Sequence, residues 1–147
     1  MRARELDILL YFAYGHNTNS EVMHRRCPSA AYRGVGELEG FRVVLRHYCD
    51  IEQQHGSVVE GVLWQIDRSD LRALDHDEGL HVDYNRIPVE ILTHTGWVRA
   101  MTYIMDPEHT QTEHQSPDSD YIESVSAGYS EHSLPLEQIG GLERLTK

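Results

Sequence analysis

Two parts of the sequence carry residues whose types and spacing suit chemistry on a small charged molecule. The first is Tyr14-Gly15-His16-Asn17, which follows an apolar run and precedes a helix-compatible segment, 18–25. A tight turn at Gly15 leaves backbone N–H groups at the end of a strand, beside the positive end of a helix dipole. Such a turn can bind a carboxylate, a phosphate or another small anion. On the motif alone, a plain strand-to-helix connection is the favoured alternative.

The second part is Glu78, near the end of a segment with helical spacing. Leu71 and Leu74 share one face of this predicted helix, and Glu78 follows four residues later on the same face. A carboxylate that points inward there loses hydration and lies at the negative end of the helix dipole; both effects raise its pKa. A raised pKa suits a general base that works near neutral pH. The alternative is a frayed helix end, where Glu78 turns into water or pairs with Arg72 or Arg86.

Strands dominate the elements that must position these residues. Strands are predicted at 9–14, 31–38, 41–46, 57–66, 82–92 and 97–105. Helices are predicted at 18–25, 67–78, 119–128 and 134–142, and polar loops at 50–56 and 106–119. Because strands outnumber helices and no regular βαβ alternation occurs, the sequence predicts an α+β fold, a small mixed β-barrel surrounded by short helices.

Two helix starts carry capping signals. Asn17, Thr18 or Asn19 can cap the first helix, and Asp67 or Ser69 can cap the second. Each of these side chains offers an oxygen that can accept a hydrogen bond from a free N–H group of the first helical turn. The capping signal at the first helix therefore strengthens the prediction of a strand–turn–helix unit.

The totals bound the class of protein. With 147 residues and a 39% apolar composition, the chain is expected to form one domain, 1–147, with a core of its own. The formal net charge of −11 argues against a nucleic-acid partner or an anionic membrane surface, since phosphates would be repelled. No apolar run reaches the ~20 residues that span a bilayer, and Asp7 interrupts any signal region. Cys27 and Cys49 are interpreted as reduced thiols of a cytoplasmic protein.

The ten histidines do not form a metal-binding pattern. His76 and His81, like His109 and His114, are five residues apart, and neither HExxH nor a paired CxxC occurs. The turn at Gly15 matches neither GxGxxG nor GxxxxGK[ST], so a dinucleotide or P-loop site is not supported. The sequence therefore predicts no metal and no other cofactor.

Taken together, several segments resemble the gamma-glutamylcyclotransferase family. They occur in order from about residue 8 to about residue 140, which is far more specific than any single segment. They are YFAYGHN at 11–17, RCPSA at 26–30, LEGF at 38–41, GVLW at 61–64, LDHDEG at 74–79, Tyr84, Ser116-Pro117, Tyr121, Gly128 and Leu134-Pro135. The resemblance implies a small mixed β-barrel with surrounding helices.

The resemblance also implies an activity, the conversion of a gamma-glutamyl amide to 5-oxoproline and a free amine. The catalytic glutamate of the family corresponds to Glu78, and its substrate-binding turn corresponds to Tyr14, Gly15, His16 and Asn17. Family members usually carry serine where this chain has His16. Backbone N–H contacts survive that change, whereas a hydroxyl contact does not.

The implied mechanism needs only a few residue types. The turn would hold the α-carboxylate of the substrate, and Glu78 would take a proton from its α-ammonium group and pass it to the leaving amine. Ring closure is intramolecular, so holding the reacting atoms together supplies much of the catalysis. Tyr14, Tyr84 and Tyr121 are candidate donors in the site, with a core or rim position as the alternative for each.

The leaving amine and the partners stay open at this stage. The substrate is expected to be a small gamma-glutamyl molecule, either a peptide, a gamma-glutamylamine or a gamma-glutamylated biosynthetic intermediate. A non-catalytic module that binds a small carboxylate is the rival class, which Glu78 disfavours because a second carboxylate would repel the ligand. The 106–119 loop is expected to govern which leaving group fits. The oligomeric state, including a homodimer, is undetermined.

Overall fold

The computed structural model describes residues 8–46, 48–78, 84–105 and 118–140, with the backbone alone at 76–78. These residues form five strands, three α-helices and three short 3-10 helices. The strands are β1 (Ile8–Ala13), β2 (Ala31–Leu45), β3 (Cys49–Asp67), β4 (Tyr84–Thr93) and β5 (Gly96–Met105). The α-helices are α1 (Ser20–Arg26), α2 (Leu71–Glu78) and α3 (Ser119–Glu131). The 3-10 helices are His16–Thr18, Arg68–Asp70 and Leu136–Ile139.

The five strands close into a barrel in the order β1-β3-β2-β4-β5. Neighbouring strands pair antiparallel except β1 and β5, which pair in parallel at Tyr11 and Met101. The predicted hairpin is β4–β5, in which Thr93 pairs with Gly96 across a two-residue loop. A closed barrel with both strand orientations and short helices confirms the predicted α+β fold.

The β2–β3 hairpin differs most from the sequence prediction. The segment 50–56, predicted as a polar loop, belongs to β3, and the strands predicted at 31–38 and 41–46 are one continuous strand, β2. Cross-strand partners explain the difference, since Arg42 lies opposite Glu52 and its Nη2 is 2.7 Å from Oε2 of that glutamate. Antiparallel strands can expose polar faces to water, so a run of polar residues did not mark a loop.

Two of the predicted caps are present at the helix starts. Oδ1 of Asn19 accepts hydrogen bonds from the N–H groups of Glu21 and Val22, at 3.0 and 3.3 Å, and so caps α1. Asp67 forms a capping box with Asp70 in the 3-10 turn that leads into α2. Each cap satisfies N–H groups that have no acceptor within their own helix.

Helix α3 is longer than the sequence predicts. The sequence places its end near Gly128, whereas the helix starts after the N-cap Asp118 and continues to Glu131. Gly128 lies inside the helix, and the chain that follows the first 3-10 helix packs against it. A Cβ at Gly128 would lie 2.6 Å from the backbone nitrogen of Asn19. The glycine therefore permits a close approach and does not end the helix.

Other predictions at the C-terminal end are only partly covered by the described residues. The helix predicted at 134–142 is a 3-10 turn, Leu136–Ile139, preceded by Pro135; residues beyond 140 lie outside the described residues. So does 106–117, most of the loop predicted at 106–119. Among the described residues, no helix is long and apolar enough to cross a membrane. The single domain over 1–147 stays a prediction.

The core fills the barrel and the space beneath the helices. The predicted inward stripe of α2 is confirmed, since Leu71 and Leu74 are 9% and 0% exposed. The largest fully buried side chains are Trp64, Tyr129, Phe12, Met23, Ile51, Leu63, Leu74, Ile91, Ile139, Val59, Val62 and Val125. They come from β1, β3, β4, all three α-helices and the last 3-10 turn, so one core supports both the turn at Gly15 and α2.

Candidate active site

The predicted anion-binding turn lies where the chain leaves β1. Gly15 is buried against Cys49, and a Cβ on Gly15 would lie only 2.9 Å from Cβ of that cysteine. The carbonyl of Gly15 accepts two hydrogen bonds from Thr18, at 3.1 Å from its N–H and 2.7 Å from its hydroxyl. The N–H groups of Gly15 and His16 donate to no acceptor within the described part of the chain. Two amide donors of the turn therefore remain for a ligand.

Tyr14 is held in the core by two other tyrosines. Its hydroxyl donates to the carbonyl of Tyr103 on β5 at 2.6 Å, and its own carbonyl accepts from the hydroxyl of Tyr129 on α3 at 2.7 Å. Burial raises the pKa of Tyr129 far above its usual value, so its hydroxyl keeps the proton it donates. The structure therefore places Tyr14 at the core position that the sequence left as its alternative.

Asn17 is also buried, and its polar atoms bind the scaffold. Its carbonyl accepts from Nε1 of Trp64 at 2.8 Å, and its Nδ2 donates to the hydroxyl of Tyr11 at 3.0 Å. Its Oδ1 accepts from Nη1 of Arg26 on α1 at 2.8 Å. These contacts fix the backbone of the turn, and the guanidinium gives the turn a positive neighbour. A direct contact of Asn17 with substrate stays a prediction.

The imidazole of His16 lies between helices α1 and α3. Its Nε2 lies 2.8 Å from Oγ of Ser124 on α3, and its Nδ1 lies 3.4 Å from Nη2 of Arg26. Burial, and then the charges of Arg26 and Arg25, lower the pKa of His16 to about 4. The imidazole is therefore neutral at physiological pH.

The predicted site tyrosines Tyr84 and Tyr121 both bind the backbone of one residue, Cys49. The hydroxyl of Tyr84 donates to the carbonyl of Cys49 at 3.1 Å, and the N–H of Cys49 donates to the hydroxyl of Tyr121 at 2.9 Å. That hydroxyl would also lie 3.4 Å from a Cβ on Gly15. Burial raises the pKa of Tyr121 well above its usual value. Both tyrosines therefore lie beside the turn, although they are far from it in sequence.

Helix α2 is tied to the barrel next to the turn. The hydroxyl of Tyr103 donates to Oδ1 of Asp75 at 2.6 Å, and Nε of Arg86 lies 3.1 Å from the same oxygen. Asp75 precedes Glu78, the last residue of α2, by three positions. The side chain of Glu78 lies outside the described residues, so its distance from the turn stays a prediction.

Sequence reasoning did not identify several residues that hold the turn. Tyr103, Cys49, Arg26 and Ser124 each contact it or its side chains, but each resembles an ordinary strand or helix residue in the sequence. The spacing of Tyr121, Ser124 and Gly128 is a signal that could have been used, because steps of three and four residues share a helix face. Polar or small residues at those positions mark a face that packs against another backbone.

The described residues include no cluster of side chains that could bind a metal ion. Over these residues, no group of three or more His, Cys, Asp or Glu side chains is placed to hold a metal ion. Cys27 and Cys49 are both buried free thiols. The prediction that no cofactor is needed therefore remains a prediction.

Comparison with known proteins identifies the family. The family model described as gamma-glutamyl cyclotransferase, AIG2-like, matches residues 11–123. The chain is 33% identical to the human gamma-glutamylcyclotransferase over 142 residues, which cover 87% of this chain and 73% of the human protein. It is 30% identical to the mouse gamma-glutamylcyclotransferase over 148 residues, 91% of this chain and 77% of the mouse protein.

A solved structure extends the similarity to three dimensions. A structure described as gamma-glutamyl cyclotransferase superposes with a TM-score of 0.82 at 31% identity, covering 93% of this chain and 87% of the other. The turn that follows β1, α2 with its closing glutamate and all of the barrel except the first three residues of β1 lie within the residues that the family model matches. The chain therefore belongs to the gamma-glutamyl cyclotransferase, AIG2-like family of enzymes.

Proposed function

We propose that this chain converts gamma-glutamyl amides to 5-oxoproline and a free amine, with Glu78 as the general acid and base. The observation that carries the proposal is the bridging position of Tyr103. Its carbonyl accepts from Tyr14 of the turn and its hydroxyl donates to Asp75 of α2, both at 2.6 Å. One residue of β5 thus links the amides of the turn to the helix that ends in Glu78.

The turn suits the carboxylate end of a gamma-glutamyl group. The amides of Gly15 and His16 can donate to an α-carboxylate at the start of a helical segment. The guanidinium of Arg26, hydrogen-bonded to Asn17, adds a positive charge next to the same amides. An anion is therefore favoured at this point of a protein whose formal net charge is −11.

The chemistry then needs one proton carrier. Glu78 removes a proton from the α-ammonium group, and the freed amine attacks the gamma-carbonyl carbon. As the bond to the leaving amine breaks, protonated Glu78 returns its proton to that nitrogen. Glu78 then takes the second proton from the ring nitrogen, which becomes the lactam N–H, and this proton leaves with the product amine as its ammonium group, so no water is consumed. Because both reacting groups belong to one molecule, correct orientation can supply an effective molarity of about 10⁵ M or more.

The proposal also covers the partners of the protein, its compartment and the leaving amine. The substrate is a small gamma-glutamyl molecule, and neither a nucleic acid nor a membrane is a partner. The free thiols of Cys27 and Cys49 favour a reducing compartment, the cytoplasm. The leaving amine is to be found by experiment. The candidate substrates are gamma-glutamyl dipeptides, gamma-glutamylamines including gamma-glutamyl-lysine, and gamma-glutamylated biosynthetic intermediates.

The test is a panel of gamma-glutamyl dipeptides and gamma-glutamylamines, with 5-oxoproline as the measured product. Glu78→Gln is expected to lower kcat by about 10²–10⁴-fold, because it removes the proton carrier. The matched control is Glu123→Gln, an exposed glutamate on α3, which is expected to keep wild-type turnover. Both variants should unfold at the wild-type temperature or close to it.

Two outcomes would contradict the proposal. Full activity in Glu78→Gln would remove Glu78 from the mechanism. If the wild type binds several gamma-glutamyl compounds but releases no 5-oxoproline from any of them, the chain is a binding module for a small carboxylate.

A further inference from the structure

His16 makes contacts that a shorter side chain could not make. Its two ring nitrogens lie beside different helices, Nε2 at 2.8 Å from Oγ of Ser124 and Nδ1 at 3.4 Å from Nη2 of Arg26. Its ring centre is 5.2 Å from that of Tyr121, at an interplanar angle of 57°. Both nitrogens of the imidazole thus have protein partners, which leaves only the backbone N–H of His16 for a substrate.

The partners of His16 define where its proton lies. A guanidinium carries donors only, so Nδ1 of His16 must accept from Arg26. The proton of the neutral ring is then on Nε2, which donates it to Oγ of Ser124. This arrangement requires a neutral imidazole, in agreement with the lowered pKa of His16.

Helix α3 presents one face to the turn. Tyr121, Ser124 and Gly128 are three and four residues apart and lie on this face. Gly128 allows the backbone of Asn19 to approach, and the carbonyl of Ser124 accepts from Nδ2 of Asn19 at 3.0 Å. The helix is thus bonded to the far end of the turn through Asn19, and to its ligand-facing end through His16.

We propose that His16 is a positioning residue, whose hydrogen bond to Ser124 holds the amides of Gly15 and His16 in the orientation that binds the substrate carboxylate. This inference rests on the proposed function, which assigns the carboxylate to those amides. A shorter side chain such as serine ends one bond beyond Cβ, two bonds short of where the Nε2 of His16 lies, and does not reach Ser124. His16 therefore secures the turn to α3 by a contact that needs the length of the imidazole.

The test compares KM and kcat for one gamma-glutamyl dipeptide that the wild type cyclises. The variants are His16→Ala, Ser124→Ala and the double variant. Each single change is expected to raise KM about fivefold to tenfold, with kcat changed by less than about twofold, because a ground-state contact is misplaced. The double variant should match the single ones, because both changes remove the same bond.

Two further variants separate positioning from general damage to the fold. Ser126→Ala, on the same helix, should keep the wild-type KM, because the hydroxyl of Ser126 has no hydrogen-bond partner among the described residues. His16→Gln has a side-chain amide that can still donate to Ser124, so it should restore most of the affinity that His16→Ala loses. Ser124→Ala removes a single oxygen and keeps the test independent of any folding defect in His16→Ala.

Several results would overturn the inference. An unchanged KM in both single variants would remove the proposed role, and additive changes in the double variant would mean that His16 and Ser124 act independently of each other. Failure of His16→Gln to recover affinity would also count against it. In each of these cases the wild type still releases 5-oxoproline; a wild type that releases none from any substrate would overturn the proposed function as well.

Discussion

The candidate site is bordered by two parts of the chain that are held by different kinds of interaction. The turn, residues 14–19, is held mainly by buried hydrogen bonds between uncharged groups, such as those from Tyr129 and Trp64 to its carbonyls. The end of the β2–β3 hairpin, residues 41–53, is held by ion pairs. It brings Cys49 against the turn.

The ion pairs of the hairpin differ in their burial. Arg46 and Asp50 form a pair at 3.0 Å whose side chains are 10% and 3% exposed, and Asp50 also accepts from the N–H of Met105. The pair between Arg42 and Glu52, at 2.7 Å, has side chains 48% and 33% exposed. Water screens the second pair and not the first. The hairpin therefore depends on a buried charge pair, whereas the turn depends mainly on uncharged donors.

The largest expected effect tests the hairpin side of this comparison. Arg46→Met should lower the free energy of unfolding by about 3–5 kcal/mol, because Asp50 is left as a buried charge without its partner. Arg42→Met, the matched control, should lower it by about 0–1 kcal/mol. Urea denaturation measures both values. Equal losses in the two variants would show that burial does not distinguish these pairs.

An intermediate effect tests the turn side. Gly128→Ala places a methyl group against the backbone of Asn19, and this overpacking should lower the free energy of unfolding by about 1–3 kcal/mol. The loss should outweigh the helix-propensity gain of about 1 kcal/mol from glycine to alanine. Glu123→Ala, exposed on the same helix, should stay within about 0.5 kcal/mol of the wild type. A stabilised Gly128→Ala would mean that α3 and the turn can separate without loss.

The last prediction concerns the pH dependence of stability at the turn. The pKa of His16 is about 4 in the folded chain, below the ordinary histidine value of 6.5, so the unfolded state binds the proton more readily between these two values. Above about pH 6.5, His16 therefore does not lower the free energy of unfolding. As the pH falls from 6.5 toward 4 it lowers this free energy increasingly, and below about pH 4 it causes no further decrease. The wild type should consequently lose more thermal stability between pH 7 and 4.5 than His16→Gln, which cannot titrate there. Parallel curves for the two proteins would contradict the prediction.

Much of the fold could be predicted because local patterns and core packing agree. The apolar run of β1, the hairpin of β4 and β5, the caps at Asn19 and Asp67, and the stripe of Leu71 and Leu74 all lie where the sequence placed them. The prediction of a loop at 50–56 was wrong because the residues of this segment form a strand by pairing with β2. Pairing across a hairpin is not visible in the composition of either strand alone.

The candidate site could be predicted in its residue types and only partly in its roles. Tyr84 and Tyr121 are predicted site residues, but their common contact with Cys49 was not predicted. Tyr14 and Asn17 belong to the turn as predicted, yet their polar side-chain atoms bind the scaffold. A sequence motif names a position, whereas burial and hydrogen-bond partners decide which atoms face a ligand.

By itself the sequence determined the strand–turn–helix unit after β1, the helix that ends in Glu78 and the family to which the chain belongs. These follow from short-range spacing, capping and motif order, which every local segment carries. Only the tertiary structure decided that Tyr103 joins the turn to α2 and that His16 bonds to Ser124. These contacts join residues 28 and 108 positions apart, and barrel closure with helix packing, rather than any local preference, brings them together.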